Sequence, residues 1–446
     1  MDIAEQHNKF ERDIVAAQTE LRKISPSHDL LKLVEVDNAG IHYTDEFGAR
    51  YEGMTTAEGF NRYIDELKQE DLTDKKILLR VDFDVPVADG KIVEEFRIKS
   101  HQETIDYLLD NGAKIMLVSH LGHDVSNASF LQVVEQLGEI LGHTFTLVPH
   151  AELDSAGKLF GRCPVLLLDN TRQDQREVDN DDTFAKELST LSSSNGASGF
   201  DYYVNDDFAT AHRRHASIVA ITKHLPSYAG FLIKKEIESL GRAIDAPAEG
   251  KVLVLGGAKI STKIPVIKNF IDRAEKILIG GALANDFFQA RGIKIGKSVT
   301  DDSVVPDMIS EKIILPNDMV SSADKSGGSD PEVSSVRDID PDEAILDIGP
   351  ETAKEWAEII KRGKMVIWNG PMGLFEVDKF SEGTTTVARA VTESGRSIIG
   401  GGDTIAAVNK LGLLDKYSFV SSGGGSMLEF LAGNVLPGLE ALGFYG

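Results

Sequence analysis

From about residue 76 onward the sequence consists of short apolar runs set between longer stretches of helical periodicity. A chain patterned this way is directed toward parallel sheets joined by crossover helices. The runs fall into two groups. Those of the first half end on charged or polar residues: KILLRVDFDVP (76–86), KIMLVSHLGH (114–123), VLLLDNTR (165–172) and DYYVNDDF (201–208). Those of the second half end on glycine: VLVLGGAK (252–259), ILIGGA (277–282), SIIGGGDT (397–404) and FVSSGGG (419–425). Ligands of open α/β sheets bind beyond the carboxyl ends of the strands, so the endings describe two pockets, one charged and one lined by glycine. Between the groups, AGFLIKKEIESLGRAIDAP (229–247) has a helical pattern closed by Pro247 and places the domain boundary along a connecting helix.

With 446 residues the chain exceeds what one hydrophobic core usually supports, which agrees with two domains. The formal charge of −24 sets the whole-protein field against phosphate backbones and anionic lipid, so neither nucleic acid nor a membrane surface is expected as a partner. An anionic ligand must instead meet a local cluster of Lys, Arg or helix N-termini. A single cysteine, Cys163, allows no intramolecular disulfide and suits a reducing compartment. The first residues lack an apolar leader core and no stretch approaches the length of a membrane span, so a cytoplasmic setting is expected.

Residues 1–24 carry Ile14, Ala17 and Leu21 on one stripe among charged residues, the pattern of an exposed amphipathic helix. Residues 33–52 are patterned as short strands around an Asn-Ala-Gly turn. Neither segment gathers reactive groups.

On the glycine side, Gly256, Gly257, Gly280, Gly281, Gly400, Gly401, Gly402, Gly423, Gly424 and Gly425 stand at strand-to-helix turns. Glycine permits close backbone approach, and the following helix offers its positive end to a phosphate. One such turn is as well explained by a tight bend; four in succession favour a nucleotide pocket. A Walker A loop is absent, because GIKIGKS (292–298) has one residue too few between its glycines and no strand before it; it is expected to be a turn. Lys259 and Lys263 are four apart and are expected on one face of a helix beginning near Gly257, where they meet a phosphate or remain solvated. Asp403, directly after Gly402, opens another helix, where it either holds Mg²⁺ on a nucleotide or acts as an N-cap.

On the charged side, Asp82, Arg97, His120, Arg172 and Arg213 come from strand ends or adjoining loops. In a chain this acidic, converging arginines suggest a small polyanion such as a phosphorylated carboxylic acid. The competing reading pairs them with Asp169, Asp206 and Asp207 in structural networks.

The strings VDFDVP, SHLGH, YVNDDFATAHRRHAS, LGGAKISTKI, GGALANDFF, DIGPET, WNGPMGLFE, IGGGDT and SSGGGSMLEFLAG…LPGLEAL resemble the phosphoglycerate kinase family in order and spacing, from about residue 70 to the C-terminus. The resemblance implies two Rossmann-like α/β domains, each a parallel sheet with flanking helices, joined by a hinge helix. The expected division is an extension at 1–70, an acid-substrate domain at 71–230, the connecting helix at 231–247, a nucleotide domain at 248–430 and a tail at 431–446. It implies ATP-dependent, Mg²⁺-assisted phosphorylation of a carboxylate, reversibly giving an acyl phosphate, with ATP or ADP and a small anionic acid as ligands. A monomer is implied, with the extension as the segment through which an oligomer could form.

Carried over by motif, Asp82, Arg97, His120, Arg172 and Arg213 bind the acid, with Asp84 and His123 in the same motifs. Arg97, Lys259, Lys263, Gly402 and Gly425 serve the transferring phosphoryl group. Gly257, Ala258, Gly281, Asn369, Pro371, Glu376, Gly402, Asp403 and Thr404 line the nucleotide, with Glu376 on the ribose and Asp403 on the metal.

The acid side departs from the family pattern. Asp84 stands where an Asn is usual, His123 where an Arg is usual and Asp124 where a Pro is usual; Asp207 and Arg214 are also new. Exchanging a permanent bidentate cation for a His mostly neutral at pH 7 weakens a phosphate site by roughly 1.5–3 kcal/mol. Three readings follow: a kinase of 3-phosphoglycerate, with Arg214 restoring the lost charge; a related kinase of a different carboxylic acid; or a nucleotide-binding protein without catalysis.

Overall fold

The computed structural model describes residues 31–37, 40–45, 50–52, 63–122, 125, 127–190, 199–301 and 310–445. The expected helix over 1–24 and His123 lie outside them. The strands expected over 33–52 form a small antiparallel sheet of β1 (Leu31–Asp37), β2 (Gly40–Asp45) and β3 (Arg50–Glu52). The described chain resumes at Tyr63. Ile64 and Leu67 are fully buried among the apolar side chains of the first domain, and Tyr63 forms a parallel bridge with Ala229.

In the first domain, β4 (Lys76–Arg80) is followed by the hairpin β5 (Val87–Ala88) and β6 (Lys91–Ile92). Then come β7 (Lys114–Val118), β8 (Thr146–Val148), β9 (Val165–Leu168), β10 (Tyr202–Asn205) and β11 (Ser227–Ala229). Apart from the hairpin, these strands make a parallel sheet of order β11-β10-β4-β7-β9-β8. Continuous apolar runs such as Val165–Leu168 are what a strand covered on both faces requires. One apolar cluster, containing Ile77, Leu79 and Ile115, covers one face; another, with Leu78, Met116 and Leu166, covers the other.

The second domain repeats the plan. Its strands are β12 (Lys251–Leu255), β13 (Lys276–Ile279), β14 (Ile313–Ile314), β15 (Asp318–Ser322), β16 (Glu332–Ser335), β17 (Ala344–Ile348), β18 (Met365–Asn369), β19 (Arg396–Gly400) and β20 (Phe419–Ser421). A parallel sheet of order β14-β13-β12-β18-β19-β20 forms its centre, and β16-β15-β17 form a separate antiparallel sheet. GIKIGKS is a turn, as expected, touching Ala344 through Gly296.

Seven helices concern the site: α1 (Phe96–Ser100), α2 (Phe231–Asp245), α3 (Ile264–Phe270), α4 (Gly281–Ala290), α5 (Gly402–Lys410), α6 (Gly425–Leu431) and α7 (Pro437–Ala441). The expected connector is α2. Its Ile233, Ile237 and Leu240 belong to an apolar cluster that also takes in Phe208 and Ala211 of the first domain and Leu436 and Leu439 of the tail. Glu236, on the same helix, is fully buried and accepts hydrogen bonds from Ser421 Oγ (2.7 Å), Ser422 N (2.6 Å) and Ser422 Oγ (2.7 Å). The tail returns to the first domain, where Gly438 N–H donates to Ala211 O at 2.8 Å. Among the described residues no helix is long and apolar enough to cross a membrane.

Candidate active site

The charged strand ends of the first sheet converge. Asp82, two residues past β4, is almost wholly buried, and its backbone N–H donates to His101 Nε2 at 2.9 Å. The other nitrogen of His101 lies 2.8 Å from Asp206 Oδ2, so Nδ1 carries the proton and the imidazole links two strand ends. Arg97 of α1 turns toward the same place: Nη1 donates to Asp84 O at 2.9 Å and lies 3.5 Å from Asp82 Oδ2. Burial, and then the nearby Asp207, push the Asp82 carboxyl up to about 6 against the pull of Arg97. Asp84 Oδ1 accepts from Gly122 N–H at 2.8 Å, and Arg172, also buried, donates to Gly122 O.

His120 sits at the centre of this cluster. Burial holds its pKa well below the usual value, and Arg80, Arg172, His215 and Arg97 lower it further. His215 is pushed down to about 3, first by burial and then by Arg172, Arg80 and Arg213. Both imidazoles are therefore neutral, with the arginines around them carrying the positive charge. Buried Nε atoms of Arg80 and Arg172, and Asp82 Oδ2, have no hydrogen-bond partner among the described residues.

The structure thus brings Asp82, Asp84, Arg97, His120 and Arg172 together. Arg213 lies exposed at the rim. Arg214 does not supply charge to the pocket; it pairs with Glu440 of α7 at 3.1 Å on the surface. The expected pairing with Asp169, Asp206 and Asp207 is not seen for Arg97, Arg172 or Arg213. Asp169 receives Ser129 and Phe130, Asp206 receives His101, and Asp207 is bound by Arg80. Arg80 was not singled out from the sequence because it reads as one position of an apolar strand.

On the glycine side, two loops cross at van der Waals contact. A β-carbon on Gly256 would stand 2.1 Å from Pro371 O, and one on Gly370 2.3 Å from Gly256 O, so neither position tolerates a side chain. Gly257 N–H donates to Pro371 O (2.8 Å) and Gly370 N–H to Thr404 Oγ1 (2.7 Å), while Asn369 Nδ2 donates to Gly400 O (2.8 Å). These bonds tie the ends of β12, β18 and β19 into one floor, with Gly281 joining through Met372 O at 3.1 Å. Gly401, at φ +99°, makes the turn into α5.

The expected shared helix face for Lys259 and Lys263 is not found. The glycine turn and Pro265 delay helix α3 until Ile264, leaving Lys263 as its N-cap and Lys259 in the preceding loop. The two are nonetheless adjacent, with Lys263 Nζ 3.4 Å from Lys259 O. Lys259 and Ala258 are exposed, whereas Lys263 is buried and its ammonium is pushed down to about 8 by burial, partly offset by Asp403. Asp403 is exposed in the first turn of α5, where no side-chain cap bond forms, so the capping role fails. Glu376 is exposed beyond the Pro371 loop.

The two sides face one another. A β-carbon on Gly402 would lie 3.8 Å from Arg97 Nη2, and Gly425 comes within 3.2 Å of the His212 ring by the same measure. His212 Nδ1 lies 2.7 Å from Ser426 Oγ, which anchors the start of α6 on the first domain.

This arrangement has counterparts. The family model described as phosphoglycerate kinase matches residues 67–434. The chain is 41% identical over 397 residues to "Phosphoglycerate kinase" of Roseiflexus sp. (strain RS-1), covering 84% of this chain and 98% of the relative. It is 40% identical over 393 residues to the same-named protein of Moorella thermoacetica, with the same shares covered. Its fold is similar to the phosphoglycerate kinase crystal structure from Pyrococcus horikoshii OT3, with a TM-score of 0.74 at 31% identity over 85% of this chain and 98% of that one. The Coxiella burnetii phosphoglycerate kinase structure gives 0.68 at 31% identity, covering 84% and 98%. A match this long, shared by sequence and fold, places the chain in the phosphoglycerate kinase family.

Proposed function

We propose that this chain transfers the γ-phosphoryl group of ATP to the carboxylate of 3-phosphoglycerate, reversibly, giving 1,3-bisphosphoglycerate. The observation that carries the reading is the position of Arg97, held by Asp82 and the Asp84 carbonyl on the acid side while its outer nitrogen points at Gly402 on the other. The acid occupies the pocket of Asp82, Asp84, His120 and Arg172, with Arg213 at its rim. The nucleotide lies over Gly257, Ala258, Gly281, Asn369, Pro371 and Thr404, with Glu376 reaching the ribose.

A charge-dispersed phosphoryl group in flight needs cations and N–H donors around it rather than a covalent partner. Arg97 supplies charge from one side. Lys263, with Lys259 at the loop, supplies it from the other, and the N–H groups at Gly402 and Gly425 complete the surround. Burial brings the Lys263 pKa down to about 8, so its ammonium is still mostly charged at pH 7 and sits in a site dry enough for that charge to count against a phosphate. For Mg²⁺ the protein offers one carboxylate: no group of three ligand side chains occurs among the described residues, and Asp403 is exposed beside the phosphate position. That donor set fits an ion carried in by nucleotide phosphates, and Mg²⁺ so bound would offset their charge.

The test is ATP-dependent trapping of an acyl phosphate by hydroxylamine with 3-phosphoglycerate as acceptor. Trapping that requires 3-phosphoglycerate supports the reading; ATP consumption without a trappable product opposes it.

A further inference from the structure

Two of the departures from the family pattern, Asp84 and Asp207, stand at opposite ends of one line of contacts. Asp207 Oδ2 lies 3.0 Å from Arg80 Nη2, and both side chains are wholly buried. Thr210 orients the carboxylate, its N–H donating to Oδ1 at 2.9 Å and its hydroxyl to Oδ2 at 2.6 Å. Arg80 Nη2 is also 3.0 Å from His120 Nδ1. A guanidinium only donates, so Nδ1 is the unprotonated nitrogen and Nε2 carries the hydrogen. His120 Nε2 lies 3.6 Å from Asp84 Oδ2, at the pocket wall.

We propose that Asp207 is a positioning residue of the acid pocket: its ion pair with Arg80 fixes His120 as the tautomer that presents Nε2–H toward Asp84 and the ligand. An arginine with no ionised partner in so dry a place would be free to turn to other acceptors, such as Val118 O, which already lies 3.4 Å from Nη1. Its neutral imidazole neighbour would then lose the donor that selects its tautomer. The role of His120 toward the acid belongs to the function proposed above; the tautomer is a property of the empty protein and can be measured whatever the substrate.

The experiment uses the full-length protein labelled with ¹⁵N-histidine, in which long-range ¹H–¹⁵N spectra separate the two tautomers and His120→Gln assigns the signal. Wild type is expected to show one neutral tautomer protonated at Nε2. Asp207→Asn, which keeps shape and removes charge, is expected to give a mixture or the reverse tautomer, and Asp207→Ala the same if it folds. In steady-state kinetics with 3-phosphoglycerate, Asp207→Asn should raise KM by about tenfold, the size of one charged hydrogen bond, with a smaller change in kcat. A wild-type His120 protonated at Nδ1, or a signal unchanged in Asp207→Asn, overturns the proposal. A change of tautomer with no rise in KM would overturn the positioning claim, whereas a wild type that does not turn over 3-phosphoglycerate would oppose the function proposed above and leave the tautomer measurement to decide the role of Asp207.

Discussion

Arg97 and Gly402 come from different domains, yet only van der Waals space separates the Arg97 guanidinium from a β-carbon placed on Gly402, at 3.8 Å. No positive φ constrains Gly402, so alanine fits there without backbone strain. Gly402→Ala is therefore expected to leave the melting temperature nearly unchanged while filling the gap the phosphoryl group crosses. A fall in kcat of roughly tenfold or more is expected, since displacements near 1 Å at a transfer site cost up to about a hundredfold. Measuring kcat beside Tm checks this, and equal turnover would show that the gap is not the path of transfer.

Lys263 joins a stability effect to a catalytic one. Its folded pKa, about 8, lies below the ordinary 10.5, so the unfolded chain holds the proton more tightly. The charged form thus weakens the ligand-free fold below about pH 8, and this cost is relieved as pH rises toward 10.5. Lys263→Met should raise Tm at pH 7, with a smaller gain at pH 10, and should lower kcat by about a hundredfold or more. A variant that melts lower and turns over normally would contradict both parts.

Glu236 titrates in the joint between the domains. Burial pushes its carboxyl up to about 7 from 4.5, against the serine hydrogen bonds. Because the folded pKa is raised, ionisation weakens the fold as pH rises from about 4.5 through 7, and no such cost exists when both states are protonated below 4.5. Glu236→Gln, still able to accept from Ser422, should match wild type in stability at pH 4.5 and exceed it at pH 8. Chemical denaturation at the two values tests the sign.

The start of the chain divides at Tyr63. Removing residues 1–62 should preserve kcat, because the pocket residues found among the described residues all lie beyond that point. Removing 1–70 also takes away Ile64 and Leu67, both fully buried, and losses of roughly 2–5 kcal/mol per large apolar side chain apply. Urea unfolding of the two truncations should separate them. Equal stability would mean that the segment is peripheral.

The architecture was legible because strands covered on both faces must be apolar throughout, so Lys251–Leu255 or Met365–Asn369 declare themselves without partners. The strand-end residues followed, since topology alone sends Asp82, His120 and Arg172 to one edge. What failed depended on contacts between distant positions. Nothing local to Arg214 reveals Glu440, and nothing in the run KILLR distinguishes Arg80 from a strand residue until Asp207 is beside it. The lysines at 259 and 263 misled because spacing implies a helical face only when a helix exists, and Gly257 with Pro265 postpones it.

The most direct test is the rate of acyl phosphate formation from Mg-ATP and 3-phosphoglycerate in wild type, Arg97→Ala and Lys263→Ala. The account predicts acceptor-dependent turnover in wild type. In both variants it predicts a fall in kcat of roughly a hundredfold or more, with nucleotide affinity much less altered. Wild-type turnover indifferent to 3-phosphoglycerate, or variants that keep their kcat, would contradict it.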